Sequence, residues 1–196
     1  MVSHDLKASI KGIYNFIQWI EEDLEKEISP EMKNYIAVIS GRAKRMEDLI
    51  NGLLDYARLR ERSVVEYTDL NKLLNEIVED IVPRSFKVEM QNLPVILCEC
   101  LKMEQVFTNL ISNAVKHNTQ AEGRIVVSCK TYPNHYEFSV KDNGIGIEPE
   151  FHEKIFEIFQ TLRVKGKKES TGVGLAIVKK IIEDQNGRIW INSQLG

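Results

Sequence analysis

Between Leu6 and Ala57 the apolar residues recur at alternating steps of four and three. The first run is Leu6, Ile10, Ile13, Ile17, Ile20 and Leu24. After Ser29-Pro30 a second run follows: Met32, Ile36, Ile39, Ala43, Met46, Ile50, Leu53 and Ala57. This spacing is a heptad seam, narrower than the stripe of a helix lying on a globule. Pro30 suits the first turn of a second helix. Residues 1–60 therefore read as a helical hairpin. A lone hairpin leaves much of its seam in water, and pairing two copies into a four-helix bundle covers it. The expectation is a homodimer through residues 1–60.

Arg58 to Arg62 is a charged connector, and the pattern changes after it. Val64–Tyr67 is strand-like, and Asp69 is placed to cap a helix carrying Leu70, Leu73, Leu74, Ile77 and Val78. Phe86–Met90 and Val95–Leu97 read as strands, Met103–His117 as a long amphipathic helix. Arg124–Tyr132 and His135–Lys141 read as two strands joined by a turn. Phe151–Phe159 and Val173–Asp184 are predicted helices, Arg188–Asn192 a final strand. Helices interleaved with strands predict a two-layer α/β sandwich over residues 64–196, so the whole chain is multidomain, α followed by α+β. At 196 residues the chain accommodates two modest domains, and a net charge of -3 speaks against a dedicated nucleic-acid binder. It holds no apolar run of membrane-spanning length and no secretory leader pattern, so the expectation is a cytoplasmic chain with no membrane segment of its own. Cys98, Cys100 and Cys129 have no zinc-site spacing and read as reduced thiols.

Four clusters carry chemistry. Ser3-His4-Asp5 can simply cap a helix. It can also present His4 as a nucleophile beside the seam, with the adjacent carboxylate taking a proton from one ring nitrogen while the other attacks. Asp142-Asn143-Gly144 resembles a hairpin turn, but Gly144-Ile145-Gly146-Ile147 leads into Glu148-Pro149 and not into an alternating strand. An acid followed by two glycines lets the backbone bend tightly and approach a ligand. A carboxylate fixed there accepts a hydrogen bond from an adenine amino group, where guanine shows a carbonyl. Gly172-x-Gly174 opens a helix and offers N–H groups to an anion, and Lys165, Lys167 and Lys168 precede it. An exposed solvated loop is the plainer reading. Asn109 and Asn113 lie four apart on one helical face, with Lys116 one turn on. They are either solvent-facing amides or oxygen and ammonium groups for magnesium and phosphates.

The order His, N-x-x-x-N, D-x-G-x-G, G-x-G-L resembles the sensor histidine kinases of two-component signalling, over nearly the whole chain. The resemblance implies a dimerisation and histidine-phosphotransfer hairpin at 1–60 and a catalytic ATP-binding domain of the GHKL (Bergerat) fold at 64–196. It implies that His4 accepts the γ-phosphoryl group of ATP with Asp5 as general base. Asn113 is then the Mg2+ ligand, with Asn109, Lys116 and His117 near the phosphates. Asp142 reads adenine, and Gly144 and Gly146 shape the pocket floor. Thr171, Gly172, Gly174 and Leu175 belong to a lid over the phosphates, and Arg163 is a further phosphate contact. Phe156–Phe159 resembles the family's aromatic box. The phosphoryl group then passes to an aspartate on a response-regulator receiver domain. An ATPase of the same superfamily and an ATP-binding dimer scaffold are the other readings that these residues leave open.

Departures from the family pattern carry expectations too. Ala8 stands where a polar side chain would place water for dephosphorylating the partner, so weak phosphatase activity is expected. Both ends look cut: the upstream sensor and the family's closing strand are expected to lie outside the chain. In the related ATPases a glutamate activates water at the place held by Asn109, and an amide is no base. Asn109→Glu is therefore expected to raise ATP hydrolysis, measured as phosphate release; an unchanged rate contradicts this assignment.

Overall fold

The computed structural model describes residues 29–58, 64–161 and 171–195, together with residues 12, 13, 15, 16, 19 and 20, whose backbone is helical. The chain forms two compact units, Met1–Arg58 with Phe159–Val173, and Leu59–Ile158 with Gly174–Gly196.

In the first unit, helix α1 (Pro30–Arg58) runs for 29 residues. Ser29 starts it: its Oγ accepts the Met32 N–H at 3.2 Å and its carbonyl accepts the Lys33 N–H at 3.0 Å. One free helix end is thereby satisfied by a side chain. Along α1 the second run of the heptad seam lies on a helix and stays largely exposed; Leu6, Ile10, Ile17 and Leu24 of the first run lie outside the described residues. Met32, Ile39, Met46 and Leu53 remain 52%, 50%, 52% and 42% exposed, while Ala43 is buried. Such a row of large apolar side chains at helical spacing is surface that another helix can cover. At Gly52 of α1 a Cβ would stand 3.0 Å from the Cβ of Val173, so the glycine makes room for that side chain.

The second unit begins with β1 (Val65–Asp69), α2 (Leu70–Ile81), β2 (Phe86–Gln91) and β3 (Val95–Glu99). Helix α3 (Cys100–Lys116), β4 (Gly123–Thr131) and β5 (Tyr136–Asp142) follow. Two short 3-10 turns, Pro149–Phe151 and Lys154–Phe156, lead towards α4 (Gly174–Asp184). β1 pairs antiparallel with β3; β2 lies parallel to β4, and β5 runs antiparallel on the other side of β4. The parallel pair needs a crossover, and β3 with α3 supplies it.

Periodicity decides the layering. Along β4, Gly123, Ile125, Val127 and Cys129 point inward and are buried, and the residues between them are not. Leu70, Leu73, Leu74 and Ile77 make the buried face of α2; Met103, Phe107, Ile111 and Ala114 make that of α3. These residues close over Ile125 and Val127 in one core. Phe107 meets Phe138 of β5 edge-on, with ring centres 5.7 Å apart. Burial raises the pKa of the Cys98 and Cys129 thiols, which keeps them protonated and unreactive. Among the described residues no helix is long and apolar enough to cross a membrane.

Two expected elements are absent. Phe151–Phe159 is not a helix: it holds a 3-10 turn, Glu157 leaves helical geometry at ψ 148, and Phe159 has φ 69. Only Ile155 is buried there, too little apolar anchoring to hold a long helix against the sheet. Arg188–Asn192 forms no strand, because no neighbouring strand pairs with it among the described residues.

The Asp69 cap is formed as expected: Oδ1 accepts the Asn71 and Lys72 N–H groups at 2.9 and 3.4 Å. Asp69→Ala should lower the unfolding free energy of this unit by about 1 kcal/mol. Denaturant titration measures it, and an unchanged midpoint contradicts the capping role.

Candidate functional site

The C-terminal half of α3 carries Asn109, Asn113 and Lys116 on one face, as the spacing predicts. The two amides are used differently. Asn109 donates from Nδ2 to the Gln105 carbonyl one turn back, at 2.8 Å. Its Oδ1 faces the first residue of α4, where a Cβ on Gly174 would stand 2.7 Å away. Glycine at 174 is therefore what lets α4 begin this close to α3. The half-buried Asn113 side chain makes no hydrogen bond among the described residues, so its oxygen is available to a ligand. Lys116 lies exposed at the end of the helix. The last turn closes with His117, whose N–H donates to the Asn113 carbonyl at 3.0 Å.

Asp142 ends β5, and the chain turns at once. Asp142 Oδ1 accepts the Gly144 N–H at 2.7 Å, which leaves the second carboxylate oxygen for a ligand. The Ile145 N–H donates to the His117 carbonyl at 3.4 Å. This bond brings the acidic loop against the end of α3. Both glycines sit in tight places. A Cβ on Gly144 would stand 2.7 Å from Asp142 Oδ1 and 3.1 Å from the His117 carbonyl oxygen. Gly146 has φ +73, and a Cβ there would collide with the Gln194 carbonyl.

Three further side chains fasten the loop, and periodicity does not reveal them. Ser193 Oγ accepts the Ile147 N–H at 2.9 Å. The Ile147 carbonyl accepts from His152 Nε2 at 3.0 Å, so Nε2 carries the hydrogen. His152 is thus half-buried and engaged; the sequence pattern suggests a plain surface imidazole. Asn143 is the third, tied to Asn118, Arg124 and Glu122.

Thr171 and Gly172 belong to the first unit. There the Phe159 N–H donates to the Gly172 carbonyl at 2.8 Å, and Gly172 has φ +69. A Cβ at 172 would stand 2.6 Å from the Gln160 carbonyl oxygen. This bond joins the two ends of the polar stretch 160–171. Leu175, half-buried, sits in the first turn of α4 beside Gly174. His4, Asp5, Ala8 and Arg163 lie outside the described residues.

The second unit thus gathers one carboxylate on a glycine floor, one available amide, one lysine and the start of an 11-residue helix. That set suits a ligand with a polar ring at one end and anionic groups at the other. Among the described residues no group of three or more His, Cys, Asp or Glu is placed to hold a metal ion by itself.

Residues 100–196 match the model of the histidine kinase-, DNA gyrase B- and HSP90-like ATPases, and residues 1–62 match the His kinase A (phospho-acceptor) domain. Cyanobacterial phytochrome B of Nostoc sp. (strain PCC 7120) is 37% identical over 204 residues, covering 100% of this chain and 27% of the phytochrome. Sensor protein kinase WalK of Staphylococcus aureus is 32% identical over 217 residues, covering 100% of this chain and 49% of WalK. The chain therefore spans about a quarter to a half of the length of these relatives. The solved catalytic domain of histidine kinase ThkA superposes with a TM-score of 0.55 at 30% identity, over 65% of this chain and 86% of that one. ThkA in complex with the response regulator protein TrrA superposes with a TM-score of 0.63 at 27% identity, over 100% of this chain and 58% of that one.

Gly146→Ala should cost about 1–3 kcal/mol, from left-handed strain and from the collision with Gln194. It should also weaken ligand binding at the loop. Denaturant titration together with nucleotide titration tests this, and wild-type behaviour in both contradicts the glycine floor.

Proposed function

The chain belongs to the family of sensor histidine kinases, and we propose that it is the catalytic core of one: it moves the γ-phosphoryl group of ATP to His4 and from there to an aspartate of a response regulator. The observation that carries this reading is the joining of the Asp142–Gly146 loop to the end of α3 through the Ile145–His117 bond. It supports the reading because it ties the loop that carries the Asp142 carboxylate to the end of the helix that carries Asn113 and Lys116.

In this reading Asp142 accepts the adenine amino group on the oxygen that Gly144 leaves free, and Gly144 and Gly146 let the ring approach the backbone. Asn113 offers an oxygen to Mg2+. Its lack of a hydrogen-bond partner among the described residues fits that use, with Mg2+ taking its other ligands from the phosphates and water. When bound, Mg2+ neutralises charge on the phosphates during transfer. Lys116, His117 and the N–H groups opening α4 at Gly174 and Leu175 face the phosphates, with Thr171, Gly172 and Arg163 in the lid.

For transfer, Asp5 takes the proton from one ring nitrogen of His4 while the other attacks the γ-phosphorus. The bond from that phosphorus to the β–γ bridging oxygen breaks, and ADP leaves. Water competes poorly, because Asn109 has no proton-accepting carboxylate and its amide is held by Gln105. Residues 1–60 pair with a second copy, which covers the exposed seam residues Met32, Ile39, Met46 and Leu53. In this reading the reaction takes place in the cytoplasm, where ATP and the receiver domain are supplied.

Incubation with γ-labelled ATP and Mg2+ tests the reading. Expected is an acid-labile label on the chain that His4→Gln abolishes and a receiver domain removes. Free phosphate without label points to an ATPase, and nucleotide binding with neither points to a scaffold; either result overturns the kinase reading.

A further inference from the structure

We propose that Asn143 is a positioning residue: its side chain fixes the distance between the adenine-reading loop and the phosphate-facing end of α3. This rests on the nucleotide reading above and adds a residue with no ligand contact of its own. The amide bonds on both sides. Oδ1 accepts two hydrogens, from Asn118 Nδ2 at 2.7 Å and from the Arg124 N–H at 2.7 Å. Nδ2 donates to the Glu122 carbonyl at 3.0 Å. Only one orientation of the amide does this, because the Arg124 N–H must find an acceptor and the Glu122 carbonyl a donor.

The arrangement works by imitation. The last ladder pair of β4 and β5 is Ile125 with Asp142. One step beyond it, the Asn143 N–H donates to the Arg124 carbonyl at 3.2 Å, and the Asn143 side chain returns the second bond to the Arg124 N–H. The side-chain carbonyl thus stands in for a main-chain carbonyl and extends the ladder by one rung. The main chain is freed to turn away at Gly144 and carry Asp142 into its ligand-facing geometry. The same oxygen also holds Asn118, two residues past the end of α3. Asn118 is itself fixed, since its Oδ1 accepts the Gln120 N–H at 2.8 Å. One side chain therefore joins the sheet edge, the acidic loop and the segment that follows Lys116 and His117.

A ligand that reaches both ends of the site feels the spacing; one that touches only the acidic loop does not. ATP is the first kind and adenosine the second. Two variants of the full chain separate the roles. Asn143→Ala removes all three side-chain bonds. Asn118→Ala removes the tie from Asn143 to the segment after α3, leaves the Asn143 bonds to Arg124 and Glu122 in place and adds no charge beside the phosphates. Calorimetric titration of wild type and both variants with ATP–Mg2+ and with adenosine gives the readout. For both variants the ATP dissociation constant should rise about tenfold or more, since a small displacement of one binding group is enough to lose that much. The adenosine constant should rise by less than about threefold, so that the discrimination between the two ligands narrows. Equal weakening of both ligands in Asn118→Ala, or an unchanged ATP constant in either folded variant, overturns the positioning role while leaving the nucleotide reading intact. A wild-type chain that binds neither ligand overturns the nucleotide reading and this inference with it.

Discussion

The bond from the Gly144 N–H to Asp142 Oδ1 holds the pocket loop in shape. A strand that ends in an acid and two glycines has no intrinsic reason to present that acid to a ligand. Here the carboxylate accepts the backbone two residues on, a local turn of the Asx type. The turn sends Ile145 towards the His117 carbonyl and Ile147 towards Ser193. The glycines follow from it: the space where Cβ atoms would stand is filled by Asp142 Oδ1 and the His117 carbonyl at Gly144, and by the Gln194 carbonyl at Gly146. The path of the loop is thus tied to glycine, most strictly at Gly146 with its positive φ.

Beneath the loop lies a core that gives the site its rigidity. Phe107, Ile111, Ile125, Val127, Leu70 and Leu74 are almost wholly buried, so α3 cannot slide along β4 without opening cavities. Asn109, Asn113 and Lys116 inherit their placement from that packing. The two asparagines look alike in sequence, yet one spends its donor on its own helix and the other has its amide available. That asymmetry separates the equivalent-looking pair: Asn109 is a close packing point for α4 at Gly174, and the Asn113 side chain makes no hydrogen bond among the described residues.

In the first unit the governing quantity is exposed apolar surface. Helix α1 keeps Met32, Ile39, Met46 and Leu53 about half exposed. Association with a second copy is the simplest way to remove that area from solvent, which makes the helical unit and the α/β unit answer different physical needs.

The sequence by itself determined the heptad seam, the Asp69 cap, the buried faces of α2 and α3 and the inward alternation of β4, because each is a local pattern repeated at a fixed period. It also supplied the residue types of the candidate site, since Asp142, Gly144, Gly146, Asn109, Asn113 and Gly174 form recognisable clusters. The tertiary structure alone decided the rest. Phe151–Phe159 reads as helical by its apolar spacing, but a single buried anchor and a positive φ at Phe159 keep it in turns. Arg188–Asn192 has strand composition and no pairing strand among the described residues. The fastening of the site through Asn118, Asn143, His152 and Ser193 spans separations of 5 to 46 residues. A period can announce which face of an element is buried, but a hydrogen bond between distant segments exists only once the core has brought its donor and acceptor within reach.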